Sequence, residues 1–175
     1  ATVPDSETCA PPADISVSEA RNIIRFVGDI NDCTVDSLLG ALEANPDARV
    51  LQIASNGGEV VPAMVAGMTV YQRNMSVQVI GFCISSCAQY VAVAGAEIYV
   101  DEYGYLAFHS SATRRLNVPI FRESLEPFAL EQYQGIANLE KTYFEILGVD
   151  PFILVDFDER KTDGCISVTM GPNGF

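Results

Sequence analysis

Short runs of β-branched and other apolar residues alternate along the chain with longer stretches in which apolar residues recur at helical spacing. Runs of the first kind predict strands, and they cover residues 22–30, 50–54, 77–80, 97–100 and 105–108. Stretches of the second kind predict helices, and they cover residues 34–44, 62–74, 88–94 and 120–147. Strands that alternate with helices in this order are typical of an α/β fold, with a mostly parallel sheet flanked by helices.

Glycine, proline and polar residues set the expected ends of these elements. Gly81 is expected to break the central strand, and Gly148 is expected to end the long helix. Pro127 predicts either a kink in the long helix or an early helical position. The polar, basic residues 110–117 predict a solvated loop, and Asp150-Pro151 predicts the start of a further short helix.

Composition favours one well-packed domain. The chain has 175 residues, of which 49% are hydrophobic, and this is enough for a single core. The polar, proline-rich residues 1–18 predict an extended N-terminal tail, which leaves residues 19–175 as one domain. No apolar run approaches the roughly 18 to 20 residues of a membrane-spanning helix. The formal net charge of −13 argues against nucleic acid and anionic membranes as partners, and it is explained by solubility.

The beginning of the sequence bears on the compartment. The chain begins at Ala1 rather than at Met, and its polar, proline-rich opening resembles the start of a mature chain after removal of a signal peptide. If a leader has been removed, we expect a periplasmic or secreted protein.

The cysteines leave several pairings open. Their number is odd, so at least one is unpaired within a monomer. The five positions are Cys9, Cys33, Cys83, Cys87 and Cys165. The spacing of Cys83 and Cys87 allows either a disulfide or two free buried thiols. With no C-x-x-C pair and a single histidine, no metal site is expected.

Three polar or glycine-rich segments follow predicted strands and carry the candidate chemistry. Ser85 and Ser86 lie where the central strand turns into a helix, whose first N–H groups favour negative charge on a substrate oxygen. Serine is equally a favoured helix cap. Gly57-Gly58 permits positive φ and close approach of the backbone. His109, the only histidine, ends a strand and can act as a base near neutral pH.

The order of these segments resembles that of the Clp protease proteolytic subunit and its relatives in the ClpP/crotonase superfamily. The matching segments are S-N-G-G at residues 55–58, G-F-C-I-S at 81–85 and F-H at 108–109. The serine between two cysteines is most similar to predicted periplasmic ClpP-like proteins. The resemblance covers residues 22–160 and implies a fold of repeated β-α units. Asn56 replaces the proline that the family has in the glycine turn.

The resemblance also implies a role for each matching residue. Ser85 corresponds to the nucleophile and His109 to the general base. The oxyanion hole corresponds to the backbone N–H of Ser86 and an N–H of either Gly57 or Gly58. Because Ser86 carries a second hydroxyl, the nucleophile could be displaced by one residue.

The family's third catalytic residue is an aspartate that follows the long helix. Asp158 fits this position best, with Asp156 as the alternative and Asp163 as a further possibility. The C-terminal region matches the family poorly, so the acid stays open among these three residues.

The expected function is that of a serine peptidase or hydrolase that cleaves peptides through a Ser-His(-Asp) acyl-enzyme, with no cofactor. The expected partners are a peptide or protein substrate and further copies of the chain, which the family assembles through its long helix. No ATPase partner is expected, because the loops that dock one are not recognisable in residues 1–18.

Other functions remain open. One is a catalytically inactive binding or scaffold protein with the same fold, and another is an esterase that uses the same atoms. A crotonase-like acyl-CoA enzyme is disfavoured by the acidic chain and by the matching Ser and His. A Ser–Lys dyad is disfavoured because the only lysines are Lys141 and Lys161.

Overall fold

The computed structural model describes residues 12–109 and 111–149, together with the backbone of Ile166–Val168. Contacts between residues divide the chain into two compact units. One unit comprises Ala1–Ala107 with Ser167–Phe175, and the other comprises Phe108–Ile166. The two units are described separately below.

The first unit is built on a mixed, mostly parallel sheet. Its strands are β1 (Asp14–Val17), β2 (Ile23–Val27), β3 (Val50–Ser55), β4 (Ser76–Ile84), β5 (Ile98–Val100), β6 (Tyr105–Phe108) and β7 (Ile166–Val168). The end residues Phe108 and Ile166 of the last two strands are counted with the second unit. Their order is β1-β2-β3-β4-β6-β7, and β5 pairs with β4 beside this path. β1 is antiparallel to β2, whereas the pairs β2–β3, β3–β4, β4–β5 and β4–β6 are parallel. The predicted α/β class, with a mostly parallel sheet flanked by helices, is confirmed.

Alternation along the strands separates the two faces of this sheet. The fully buried face carries Ile24, Phe26, Leu51, Ile53, Val77 and Val79. The opposite face carries Arg25, Gln52 and Gln78 in register. There Gln52 Nε2 donates to Gln78 Oε1 at 2.9 Å, and Gln78 Nε2 donates to Asp101 Oδ1 at 2.9 Å. The core of this unit therefore lies on one side of the sheet, as period-two alternation requires.

Two helices accompany this sheet, α1 (Asp32–Ala44) and α2 (Val60–Gln72). The start of α1 is defined by a capping box. The Asn31 side chain accepts from the Thr34 N–H at 3.0 Å, and Thr34 Oγ1 accepts from the Asn31 N–H at 3.0 Å. The helix is predicted from residue 34 but begins at Asp32. The prediction rests on the spacing of apolar residues, which does not include the polar capping residues.

The predicted end of the central strand at Gly81 is wrong. Gly81 has φ +114°, and β4 continues through it to Ile84. The β3–β4 register shifts here, because Ile53 pairs with Val79 but Ser55 pairs with Cys83. On the other side, β4 pairs first with β5 and then, beyond Gly81, with β6. The glycine thus makes an irregularity at which the strand changes its neighbour.

Two further segments of the first unit differ from expectation. Residues 88–94, predicted as a helix, form a π-helical turn over Cys87–Val91 and a 3₁₀ turn over Ala92–Ala94. Residues 1–18 are expected to form an extended tail, but they contain strand β1. The backbone of β1 pairs with β2, so this segment is part of the sheet. Within the described residues, no helix has the length and apolar character needed to span a membrane.

The second unit contains three helices in its described part, α3 (Ala112–Leu116), α4 (Pro119–Ser124) and α5 (Pro127–Leu147). The single helix predicted over residues 120–147 is therefore two helices, separated where Leu125 and Glu126 have extended backbones. Pro127 lies at the beginning of α5, so the predicted early helical position is confirmed and the predicted kink is not. Gly148 ends α5 with φ +69°, as predicted. Residues 110–117, predicted as a loop, include α3. The short helix predicted from Asp150 lies outside the described residues.

A buried carboxylate joins α3 to α5. Glu140 on α5 is 1% exposed. It accepts hydrogen bonds from the Ala112 N–H at 3.0 Å, the Thr113 N–H at 2.9 Å and Thr113 Oγ1 at 2.5 Å. Two N–H groups at the start of α3 are satisfied in this way, although the local sequence gives no sign of a partner 27 and 28 residues away.

Candidate active site

Ser85 lies at a sharp turn that directly follows β4. Its φ is +57°, a left-handed conformation that costs a non-glycine residue about 1–2 kcal/mol. The Ser85 N–H donates to the Ala107 carbonyl of β6 at 2.9 Å, and its own carbonyl accepts from the Gln89 N–H at 2.9 Å. The turn is thus held by the sheet on one side and by the following π-helical turn on the other.

Cys83 and Cys87 form a disulfide across this turn. Their Cα atoms are 5.3 Å apart, and both residues are fully buried. The sequence allows either a disulfide or two free buried thiols at Cys83 and Cys87, and the structure has the disulfide. Cys33 is also disulfide-bonded, and its partner lies outside the described residues.

The glycine turn after β3 lies directly against the serine turn. Gly57 has φ +91°. A Cβ placed on it would lie 2.6 Å from the Ile84 carbonyl oxygen, 2.8 Å from Ser85 Cβ and 3.0 Å from the Ser86 nitrogen. Since a methyl group has no room there, only glycine allows this approach. The structure therefore brings together two of the segments that the sequence singles out.

The N–H groups of Gly57 and Gly58 differ in their partners. The Gly57 N–H donates to Ser55 Oγ at 3.0 Å. The Gly58 N–H has no acceptor among the described residues, although Ile30 pairs with this segment through the Gly57 carbonyl and the Glu59 N–H. Of the two glycines, Gly58 is therefore the one whose N–H is available to a bound group.

The two serine hydroxyls also differ. Ser86 is 1% exposed, and its Oγ donates to the Gly58 carbonyl at 3.1 Å. Ser85 is half-buried. The Ser86 hydroxyl is thus engaged inside the unit, whereas Ser85 is the less buried residue of the pair.

The remaining predicted site residues belong to the second unit or fall outside the described residues. His109 directly follows β6, belongs to the second unit, and is the second residue after Ala107 in the chain. Asp158, Asp156 and Asp163 lie outside the described residues. In the part of the chain that the structure describes, no cluster of three or more His, Cys, Asp or Glu side chains could hold a metal ion.

Sequence reasoning missed three residues that support this site. Ser55 accepts from the Gly57 N–H, Ala107 accepts from the Ser85 N–H, and the Ile30 N–H donates to the Gly57 carbonyl at 2.8 Å. A polar residue at the end of a buried strand is a signal for Ser55. The other two act through their backbones, so their side chains give no signal.

Comparison of the chain with models of known protein families finds no match, and comparison with curated proteins finds none.

Proposed function

We propose that this protein is a serine peptidase or hydrolase of the ClpP/crotonase superfamily, with Ser85 as its nucleophile. One observation carries the proposal: Ser85 stands in a left-handed turn at the end of a parallel strand, against the backbone of Gly57. Strained backbone at a half-buried nucleophilic side chain is common at active sites. Neither a helix cap nor core packing requires this conformation.

The backbone N–H groups of Ser86 and Gly58 are proposed as the oxyanion hole. Neither N–H has an acceptor among the described residues, and the two segments that carry them are in direct contact. The hydrogen bond from Ser86 Oγ to the Gly58 carbonyl joins the two donor residues at 3.1 Å. The hydrogen bond from the Gly57 N–H to Ser55 Oγ supports Gly58, rather than Gly57, as the second donor.

His109 is proposed as the general base, and Asp158 as the acid that orients it, with Asp156 and Asp163 as alternatives. In this mechanism His109 takes the proton of Ser85 while Oγ attacks the substrate carbonyl. The oxyanion is stabilised by the two N–H groups, and the protonated imidazole then gives its proton to the leaving amine. A water molecule hydrolyses the acyl-enzyme by the same steps.

We further propose a periplasmic or secreted location, peptide or protein substrates, assembly into a homo-oligomer and no ATPase partner. The buried disulfide at Cys83 and Cys87 supports the location, because disulfides persist in oxidising compartments. Substrate class and assembly rest on the resemblance of the three motifs alone.

Labelling with a fluorophosphonate probe tests the nucleophile and the base. We expect the folded wild type to be labelled, and Ser85→Ala to abolish labelling because the attacking oxygen is gone. His109→Ala should slow labelling by about 10²–10⁴-fold, which is the usual contribution of a general base. The comparison variant is Ser86→Ala, which keeps the backbone N–H of residue 86 but loses the hydrogen bond to the Gly58 carbonyl. It should slow labelling without abolishing it, in contrast to Ser85→Ala.

Two further measurements complete the assignment. Asp158→Asn, Asp156→Asn and Asp163→Asn are compared singly, and the variant with the largest loss of labelling identifies the acid. Hydrolysis of a fluorogenic peptide and of an activated ester by the wild type distinguishes a peptidase from an esterase. A folded wild type that no probe labels would favour the inactive scaffold instead.

A further inference from the structure

The disulfide between Cys83 and Cys87 closes a short loop that contains the serine turn. Only Ile84, Ser85 and Ser86 lie between the two half-cystines. Cys83 is paired within the sheet with Ser55 on β3 and Leu106 on β6. Cys87 begins the π-helical turn. The bond therefore connects the end of the strand to the start of the turn that follows it.

The covalent link restricts what these three residues can do. In an extended chain, Cα atoms four residues apart are separated by about 13 Å. The disulfide holds those of Cys83 and Cys87 at 5.3 Å. The link therefore excludes every conformation in which β4 continues in extended form past Ile84. With it, the chain must turn between the two sulfur atoms.

The same observations argue against two other roles. A disulfide that closes so short a loop removes less entropy from the unfolded chain than one that closes a long loop, so its contribution to global stability is at the low end of the usual range. Both half-cystines are fully buried, so a reductant in solution does not reach the bond while the unit is folded. A stabiliser of the whole fold and a reversible redox switch are therefore the weaker explanations.

We propose that Cys83 and Cys87 are positioning residues: their disulfide holds Ser85 in its left-handed conformation and so presents its hydroxyl for reaction. The catalytic part of this inference rests on the proposed function. The conformational part does not, because the turn exists whatever the protein does.

The double variant Cys83→Ala/Cys87→Ala tests both parts. Hydrogen exchange measured by mass spectrometry should accelerate at least tenfold in a peptide covering residues 82–88. The rest of the sheet should change by less than threefold, and the thermal midpoint should fall by only a few degrees. The fluorophosphonate labelling rate should fall at least tenfold.

The pH profile of labelling separates positioning from a change in the base. We expect the plateau of the profile to fall in the double variant while its midpoint, set by the base, stays where it is. Cys33→Ala is the matched control, because it removes the other disulfide and leaves the serine turn bonded. Its labelling rate should stay within threefold of the wild-type rate.

Three outcomes would overturn the inference. One is a double variant with unchanged local exchange, and another is a labelling rate equal to that of the wild type. The third is a global loss of structure, both in this variant and in Cys83→Val/Cys87→Ala, which refills most of the lost volume. If the wild type itself is not labelled, the proposed function fails, and the exchange measurement still decides the conformational part.

Discussion

Gly57 and Gly40 show how differently the same residue type acts at the scale of one side chain. Gly57 has φ +91° and lies where a Cβ would overlap the serine turn. Gly40 lies within helix α1, and a Cβ built on it meets nothing within 4 Å. At the first position glycine is required by space and conformation, whereas at the second it only adds backbone freedom to the unfolded chain.

We expect Gly57→Ala to destabilise the protein by at least about 2 kcal/mol and to slow probe labelling strongly. The reason is that the methyl group must displace Ile84 or Ser85 in addition to straining its own backbone. Gly40→Ala should instead stabilise by about 0.5–1 kcal/mol and leave labelling unchanged. Urea unfolding and labelling rates check both variants. Equal effects of the two substitutions would contradict the geometry of the site.

At this scale the sequence predicts some site residues and not others. Gly57-Gly58 and the serine pair are visible because each follows a β-branched run at a strand end. The difference between Ser85 and Ser86 is not visible, since it depends on which hydroxyl meets the Gly58 carbonyl at 3.1 Å. The choice between Gly57 and Gly58 likewise depends on Ser55, a partner that spacing alone does not reveal.

At the scale of elements, α3 depends on a carboxylate from another helix. This helix has only five residues, too few to be stable by itself. Ser111 caps it by accepting from the Arg114 N–H at 3.2 Å, and Glu140 of α5 binds two further N–H groups at its start. The short helix therefore exists because α5 supplies a buried acceptor.

We expect Glu140→Gln to destabilise the second unit by about 1–3 kcal/mol. The substitution keeps the size of the side chain but removes the charge that strengthens its hydrogen bonds. The matched control on the same helix is Glu145→Gln, where the carboxylate is 61% exposed and forms only a 3.9 Å ion pair with Lys141. The control should lose at most about 0.5 kcal/mol of stability. Similar unfolding midpoints in urea for the two variants would contradict a structural role of Glu140.

The elements also show where pattern reasoning stops. Strands β3 and β6 are predicted within one residue because each is a compact apolar run between polar or turn residues. The passage of β4 through Gly81 could not be predicted, because it depends on pairing with β6, which lies later in the chain. The break between α4 and α5 was missed because apolar spacing continues across Leu125 and Glu126, where the backbone is extended.

At the scale of the whole molecule, charge and burial determine the response to alkaline pH. The chain carries a formal net charge of −13 at pH 7, which disfavours the compact state through self-repulsion. Burial also raises the pKa of Tyr143, whose side chain is almost completely buried in the second unit. In the unfolded chain that phenol titrates near its ordinary pKa of about 10.

We expect stability to be retained below about pH 10 and to fall as the pH rises further. Above that value the unfolded state releases the Tyr143 proton while the folded state keeps it, so protonation linkage favours unfolding. The slope approaches about 1.4 kcal/mol per pH unit for one such group. Urea midpoints between pH 8 and pH 11 measure it. Tyr143→Phe should flatten the slope, whereas Tyr103→Phe, at a position 88% exposed, should not.

Salt distinguishes the two contributions. Added NaCl screens repulsion between surface charges and should raise the midpoint at pH 8. It should leave the difference in slope between the wild type and Tyr143→Phe unchanged, since that difference arises from burial. A slope that salt abolishes in the wild type would assign the alkaline loss to net charge instead.

The contact of the Ser85 turn with Gly57 and Ala107 has a consequence for the order of events during folding. The three residues are far apart in the chain and meet only after β3, β4 and β6 have paired. The bond between Cys83 and Cys87, in contrast, closes a loop so short that it can form in a nascent chain. Oxidation can therefore precede the sheet, whereas the nucleophilic reactivity proposed for Ser85 requires the paired strands. If Ser85 reacts as proposed, covalent capture by the probe, followed in time after dilution from denaturant, would then report when β3, β4 and β6 have paired.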